Sequence, residues 1–181
     1  SAAIGPAFEV ARLLPYRKHR MVGPFIFLDH AGPVTLNAPI PTDMDVLPHP
    51  HIGLSTITYL FHGKWMHRDS AGFEQVIRPG DVNWMTAGKG VSHSERFEAE
   101  FRKKGGDMEL IQAWVALPEA KEETEPDFYH FEQSTLPHSD DGGVWLRLIA
   151  GSAYGMTSPV TTYSPLFYVH AELHPGTTLP L

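Results

Sequence analysis

HPHIGLSTITYLFHG, residues His49 to Gly63, opens on two histidines two positions apart and runs into LSTITYLF. That run is rich in β-branched and aromatic residues and stops at His62-Gly63, which reads as a strand over Leu54–Phe61 closed by a turn. Side chains two apart on a strand share one face. His49 and His51 therefore project together if the strand character extends back to them. A second such pair, His93-Ser94-Glu95, lies in PGDVNWMTAGKGVSHSE, residues Pro79 to Glu95.

Working outward, strand-like segments dominate. Phe25–Leu28 follows Gly23-Pro24, Lys64–Arg68 returns as a hairpin partner of Leu54–Phe61, and Phe73–Arg78 leads into the turn Pro79-Gly80-Asp81. Val82–Thr86, the Gly-rich loop Ala87–Gly90 and Val91–Phe97 follow. Met108–Leu117 is ambiguous by propensity, and its place among short strands makes it a strand. Pro118–Pro126 (PEAKEETEP) reads as a solvated acidic excursion, and strands resume at Val144–Ala150 and Leu166–Leu173. Short helices are expected only at Glu9–Leu14 and Lys121–Thr124. Many short strands with frequent turns predict an all-β sandwich or barrel.

Composition fits this reading. Sixteen Gly and sixteen Pro in 181 residues suit a turn-rich fold, and 42% hydrophobic residues suffice for a sizeable core. A formal charge of −7 disfavours a broad nucleic-acid surface. The absence of cysteine excludes disulfides, thiol catalysis and Cys-ligated metals, and agrees with a cytoplasmic setting. No apolar run approaches the ~20 residues of a membrane span. Ser1–Pro6 lacks the basic-then-apolar pattern of a leader, and a start without Met reads as processed or engineered.

Eleven histidines are the compositional signal worth following. If the strands bearing His49, His51, His93 and Glu95 are neighbours, three imidazoles and a carboxylate meet at one spot. That donor set suits a single divalent transition ion (Fe, Mn, Co, Ni, Cu or Zn) rather than Mg or Ca. Four protein ligands on an octahedral ion leave about two open positions. Three imidazoles must be neutral to bind, and the free His pKa of about 6.5 places metal loss below roughly pH 6. His67 and His30 read either as groups that orient a ligand ring or as ordinary satisfied polar residues. His19, His62, His130, His138, His170 and His174 read as turn or surface residues. Gly88-Lys89-Gly90-Val91 lacks the spacing of a phosphate loop, and Ser92 and Ser94 sit in no nucleophile elbow.

With these residues in view, the chain resembles the pirin family of cupins. The matching stretches are RLLPYRKHRMVGPFIFLDHAGP (Arg12–Pro33), His49–Gly63, Pro79–Glu95, LIQAWVALP (Leu110–Pro118) and SPVTTYSPLFYVHAELHPG (Ser158–Gly176). The resemblance implies a cupin-type jelly-roll barrel or sandwich at 1–150. It implies the opening strands of a second cupin domain at 151–181. It also implies His49, His51, His93 and Glu95 as metal ligands, with iron as the usual metal. The position four after His51, commonly acidic in the family, is Ser55 here.

Two functions follow from the resemblance. One is a dioxygenase of quercetinase type, in which the metal takes the 3-hydroxyl and neighbouring carbonyl of a flavonol-like aromatic substrate. Glu95 would then be the catalytic base, with Phe25, Phe27, Trp84 and Trp114 as candidates for an aromatic wall. The other is a non-enzymatic, iron-dependent regulator that binds a transcription factor or a metabolic enzyme. Access to the metal discriminates between them. The segment Ser158–Leu181, too short for a barrel yet apolar at Leu166–Val169, is expected to dock on the first barrel or to pair with a second molecule as a homodimer.

Overall fold

The computed structural model describes the backbone of residues 2–4 and 8–180 and the side chains of residues 10–180. Within the Ser1–Pro6 stretch read for a leader, residues 1, 5 and 6 lie outside the described residues, as does Leu181 at the end of the tail. The chain divides into two compact units, Ser1–His130 and Phe131–Leu181. The strands are β1 (Ala2–Ile4), β2 (Phe8–Leu14), β3 (Phe25–Leu36), β4 (Val46–His51), β5 (Leu54–His62), β6 (Trp65–Asp69), β7 (Glu74–Ile77) and β8 (Val82–Thr86). They continue with β9 (Val91–Phe97), β10 (Gly106–Ala116), β11 (Asp127–Phe131), β12 (His138–Asp141), β13 (Val144–Ala153), β14 (Met156–Thr157) and β15 (Phe167–Leu173). One short helix, α1 (Ala99–Lys104), interrupts them. The all-β expectation holds.

In the first unit, one sheet runs β1-β2-β3-β10-β5-β8-β11 and a second runs β4-β9-β6-β7. Their facing sides make the core. Val10, Ala31, Leu60, Met108 and Leu110 from the large sheet cluster with Trp65, Ile77 and Phe97 from the small one. Strand β9 shows how the sequence sets this up. Val91, His93, Ser94, Glu95 and Phe97 are buried, and Ser92 and Arg96 are half-buried. By the two-residue period of a strand, His93 and Glu95 thus share a face with Val91 and Phe97, two apolar residues that anchor it. Strand β4 is an edge strand, and Pro48 and Pro50, which have no N–H to donate, alternate there with the histidines.

Several expectations are corrected. Glu9–Leu14 is not helical. It lies in β2, which pairs antiparallel with β3 through Val10↔Ala31 and Arg12↔Asp29. The spacing of Val10, Leu13 and Leu14 fits either structure, and the long partner strand decides it. Lys121–Thr124 carries only the end of a 3-10 turn, Glu119–Lys121. The acidic excursion is tied down, because Lys89 N–H donates to the Thr124 carbonyl and Lys89 Nζ meets Glu125. Helix α1 lies in a segment for which no helix was expected. Glu98 caps it by accepting from Phe101 N–H, and Gly105 ends it.

The second unit is built on β13. It carries β12 and β14, and β15 pairs with it from Val144↔Leu173 to Gly151↔Phe167. Residue 150 therefore falls inside β13, and Val144–Ala150 belongs with the C-terminal unit. The apolar tail takes its hydrogen-bonding partner from this same unit.

The loop between β8 and β9 depends on Gly88, which holds φ +50° against the backbone of Thr124. A Cβ at this position would overlap the Thr124 carbonyl oxygen. Gly88→Ala is expected to lower stability by ~2 kcal/mol or more, from the left-handed conformation and the overlap together. Urea denaturation of the purified variant measures it. A midpoint unchanged from wild type would mean the loop relaxes freely.

Candidate metal centre

Strands β4 and β9 pair so that His49 stands opposite His93, with His51 opposite Val91. A register irregularity between Val46 and His49 brings Val46 opposite Glu95. The ring centroids of His49, His51 and His93 lie 4.5–5.0 Å apart. One ring nitrogen from each falls within 4.8 Å of the others. Three of the four residues read from the sequence are thus gathered into one group. His51 and His93 are buried, at 8% and 2% exposure, and His49 is only half-buried.

The nitrogens are not equivalent. His49 commits Nδ1 to the Leu47 carbonyl at 2.8 Å, which leaves Nε2 free to ligate. His93 Nδ1 meets His67 Nδ1 at 3.3 Å, and His93 Nε2 is buried with no hydrogen-bond partner. A buried polar nitrogen without a partner costs free energy, about 1–3 kcal/mol by mutational measures. A metal ion satisfies such an atom directly. The donor set and the orphaned nitrogen together fit a divalent transition ion.

Burial also sets protonation. It pushes the His93 pKa down to about 2 and that of His51 to about 4, helped in both by neighbouring histidines. His67 is lowered too, chiefly by burial and against the pull of Asp69. These shifts bear on the expectation of metal loss below roughly pH 6 at two of the ligand rings. Two of the three rings stay neutral well below that pH, so proton competition for them begins lower.

Glu95 lies on the same face of β9, two residues beyond His93. Burial raises its pKa to about 7, opposed by a hydrogen bond from Thr58 at 3.3 Å. The Thr58 hydroxyl also reaches Gln112 Oε1 at 2.9 Å. Thr58 and Gln112 come from β5 and β10, so the opposite sheet supplies the polar lid over the carboxylate. Trp114, also on β10, turns an edge to His51 at 5.1 Å and stacks on Phe27 at 4.0 Å. Arg12 lies 4.6 Å over Phe27 and forms two hydrogen bonds with the buried carboxylate of Asp29. Of the aromatic candidates, Phe27 and Trp114 thus stack on each other beside His51. Trp84 pairs with Ile57 on the other face of the large sheet, away from Thr58. His30 bonds Glu109 at 2.8 Å and does not join the histidine group. Ser55 is buried against the Thr86 hydroxyl at 3.1 Å.

The sequence reading missed Asp69, Thr58 and Gln112. Asp69 had a signal, since His67-Arg68-Asp69 repeats the two-residue spacing of the other pairs. Thr58 and Gln112 had none, because only the packing of one sheet on the other makes them neighbours of Glu95.

With this geometry in place, relatives become informative. The family model named Pirin matches residues 7–115. A pirin-like protein of Caulobacter vibrioides is 58% identical over 175 residues, which cover 96% of this chain and 60% of that protein. The chain belongs to the pirin family. Crystal structures of two proteins named quercetin 2,3-dioxygenase from Acinetobacter baumannii superpose on it. One is 42% identical with a TM-score of 0.88, covering 96% of this chain and 55% of the other. The second is 36% identical with a TM-score of 0.90, covering 97% and 62%. The fold is thus cupin-type, and this pirin-family chain spans three-fifths or so of the length of such relatives. Among the described residues, no helix is long and apolar enough to cross a membrane.

The Glu95 environment gives a prediction with a definite sign. Its folded pKa of about 7 lies above the ordinary carboxylate value of 4.5. Below pH 4.5 both folded and unfolded states hold the proton. As pH rises from 4.5 through 7 the unfolded state loses it first, and metal-free protein loses stability. Glu95→Gln cannot titrate. Relative to wild type, metal-free Glu95→Gln should gain about 3 kcal/mol between pH 4.5 and pH 8. Denaturation midpoints across that range test this. A constant difference between the two proteins would contradict a neutral buried Glu95.

Proposed function

We propose that this chain is the metal-binding barrel of a dioxygenase of quercetinase type that acts on a flavonol-like aromatic substrate. The observation that carries the proposal is the convergence of three histidine nitrogens, one of them buried and unpartnered, with the stacked Phe27 and Trp114 beside His51. The names of the two Acinetobacter proteins point the same way.

His49, His51 and His93 would each hold the ion through one ring nitrogen, with Glu95 as the fourth ligand; iron is the metal implied by the family resemblance. When bound, such an ion lowers the pKa of a coordinated hydroxyl and withdraws electron density from an adjacent carbonyl. The remaining work falls to the chain. Burial raises the Glu95 pKa to about 7 in the metal-free chain, and once released from the ion its carboxylate would accept the proton of the substrate hydroxyl. Thr58 assists this exchange. While Glu95 holds the proton, the Thr58 oxygen accepts from it and the Thr58 hydroxyl donates to Gln112 Oε1. When Glu95 is ionised, the Thr58 hydroxyl can turn to the carboxylate instead. Trp114 would offer an apolar ring to an aromatic substrate, backed by Phe27, which is itself held between Trp114 and the Arg12–Asp29 pair. The partly exposed His49 marks the side from which substrate enters.

Oxygen uptake on a flavonol panel, with protein loaded in turn with Fe, Mn, Co, Ni, Cu and Zn, tests the proposal. Metal-dependent uptake is expected with at least one redox-active ion, falling about 100-fold or more in Glu95→Gln. Full metal loading with no uptake on any flavonol would contradict it and favour the regulator.

A further inference from the structure

We infer that Asp69 and His67 form a hydrogen-bond relay that fixes the tautomer of His93 and so aims its Nε2 lone pair into the metal centre. The inference rests on the metal-binding reading of the three histidines and adds two positioning residues to it.

The relay begins at a rigid anchor. Asp69 ends β6, and its side chain is buried, at 1% exposure. Its Oδ1 accepts from the backbone N–H groups of Ala71 and Phe73, at 2.9 and 3.1 Å. The Asp69 N–H in turn donates to the Phe73 carbonyl. The turn after β6 thus holds the carboxylate and leaves Oδ2 facing His67 Nε2 at 2.9 Å. His67 cannot swing away, because its ring stacks on Phe128 at 4.3 Å with 20° between the planes. Its other nitrogen, Nδ1, faces His93 Nδ1 at 3.3 Å.

Hydrogen-bond polarity then propagates without a free choice. A carboxylate is an acceptor only, so His67 Nε2 carries the proton and donates it to Oδ2. The neutral ring of His67 then has a lone pair at Nδ1. Two lone pairs cannot face each other across 3.3 Å, so His93 Nδ1 carries a proton and donates it to His67. In neutral His93 the lone pair is therefore at Nε2, the atom that is buried with no partner among the protein groups. The orphaned nitrogen is thus the end of an ordered chain, Asp69–His67–His93. A ligand imidazole held by a carboxylate has its ring orientation and basicity fixed, and loss of such a partner weakens metal affinity about 10–100-fold. Here a second imidazole is interposed. The register places Asp69 opposite His93 and His67 opposite Glu95, so β6 lays the relay alongside the ligands of β9.

The test is Asp69→Asn. The new amide oxygen keeps the N–H groups of Ala71 and Phe73, which turns the amide nitrogen toward His67. That nitrogen donates to His67 Nε2, His67 takes its proton at Nδ1 instead, and His93 is driven to carry its proton at Nε2. Imidazole tautomers are read in metal-free protein by long-range proton–nitrogen correlation at neutral pH, and zinc affinity is measured separately by competition with a chelator. In wild type, His67 protonated at Nε2 and His93 at Nδ1 are expected. In Asp69→Asn, both tautomers should invert and zinc should bind about 10–100-fold more weakly. Wild-type His93 protonated at Nε2 would overturn the relay without any variant. Unchanged zinc affinity in Asp69→Asn would also overturn it, as would weakened affinity with unchanged tautomers. If wild type shows the expected tautomers yet binds no zinc, the metal-binding reading fails and the relay stands.

Discussion

An imidazole nitrogen buried without a partner, His93 Nε2, constrains everything around it. It sits between two sheets, where an unmet hydrogen-bonding group is not compensated by water. The pairing of β4 with β9 puts His49 directly across from it, and His51 closes the triangle. The prolines of β4 fit the edge position that this pairing requires, since an edge strand can do without the missing N–H groups. The core residues Phe97 and Trp65 lie on the same strands as the polar group. The hydrophobic packing of the barrel thereby fixes the spacing of atoms that have no affinity for one another.

That arrangement is costly for the metal-free chain. The rings of His51, His67 and His93, a carboxyl group whose pKa is pushed to about 7, Thr58, Gln112 and the side chain of Asp69 are all drawn into the interior. His93 Nε2 is buried without a hydrogen-bond partner, and the dry, mutually repelling surroundings keep His93 and His51 unprotonated to low pH. Such a group of buried polar residues contributes less to stability than apolar residues of the same volume would. Such a group gathered beside a well-packed core is the physical mark of a candidate binding site.

Much of this was legible in the sequence, for physical reasons. The two-residue periodicity of a strand makes His49/His51 and His93/Glu95 readable as same-face pairs. Glycine, proline and Pro79-Gly80-Asp81 mark turns because few other residues tolerate those conformations. What the sequence could not show lies in contacts between distant segments. Glu9–Leu14 has a pattern that fits helix or strand, and β3 decides it. Thr58 is one of several threonines in a strand until the packing of β5 over β9 places it on Glu95. The strand Val144–Ala150 looks like a continuation of the first barrel until β15 pairs with it. His67-Arg68-Asp69 was visible as a pattern, but its meaning depends on Phe128 and on the turn at Ala71–Phe73.

The most direct measurement is anomalous diffraction from crystals grown with a divalent transition metal, recorded above and below its absorption edge. A single strong peak is expected, about 2.0–2.2 Å from one nitrogen each of His49, His51 and His93, with His93 ligating through Nε2. Strong peaks confined to surface groups such as His30 and Glu109, with none among the three histidines, would contradict it.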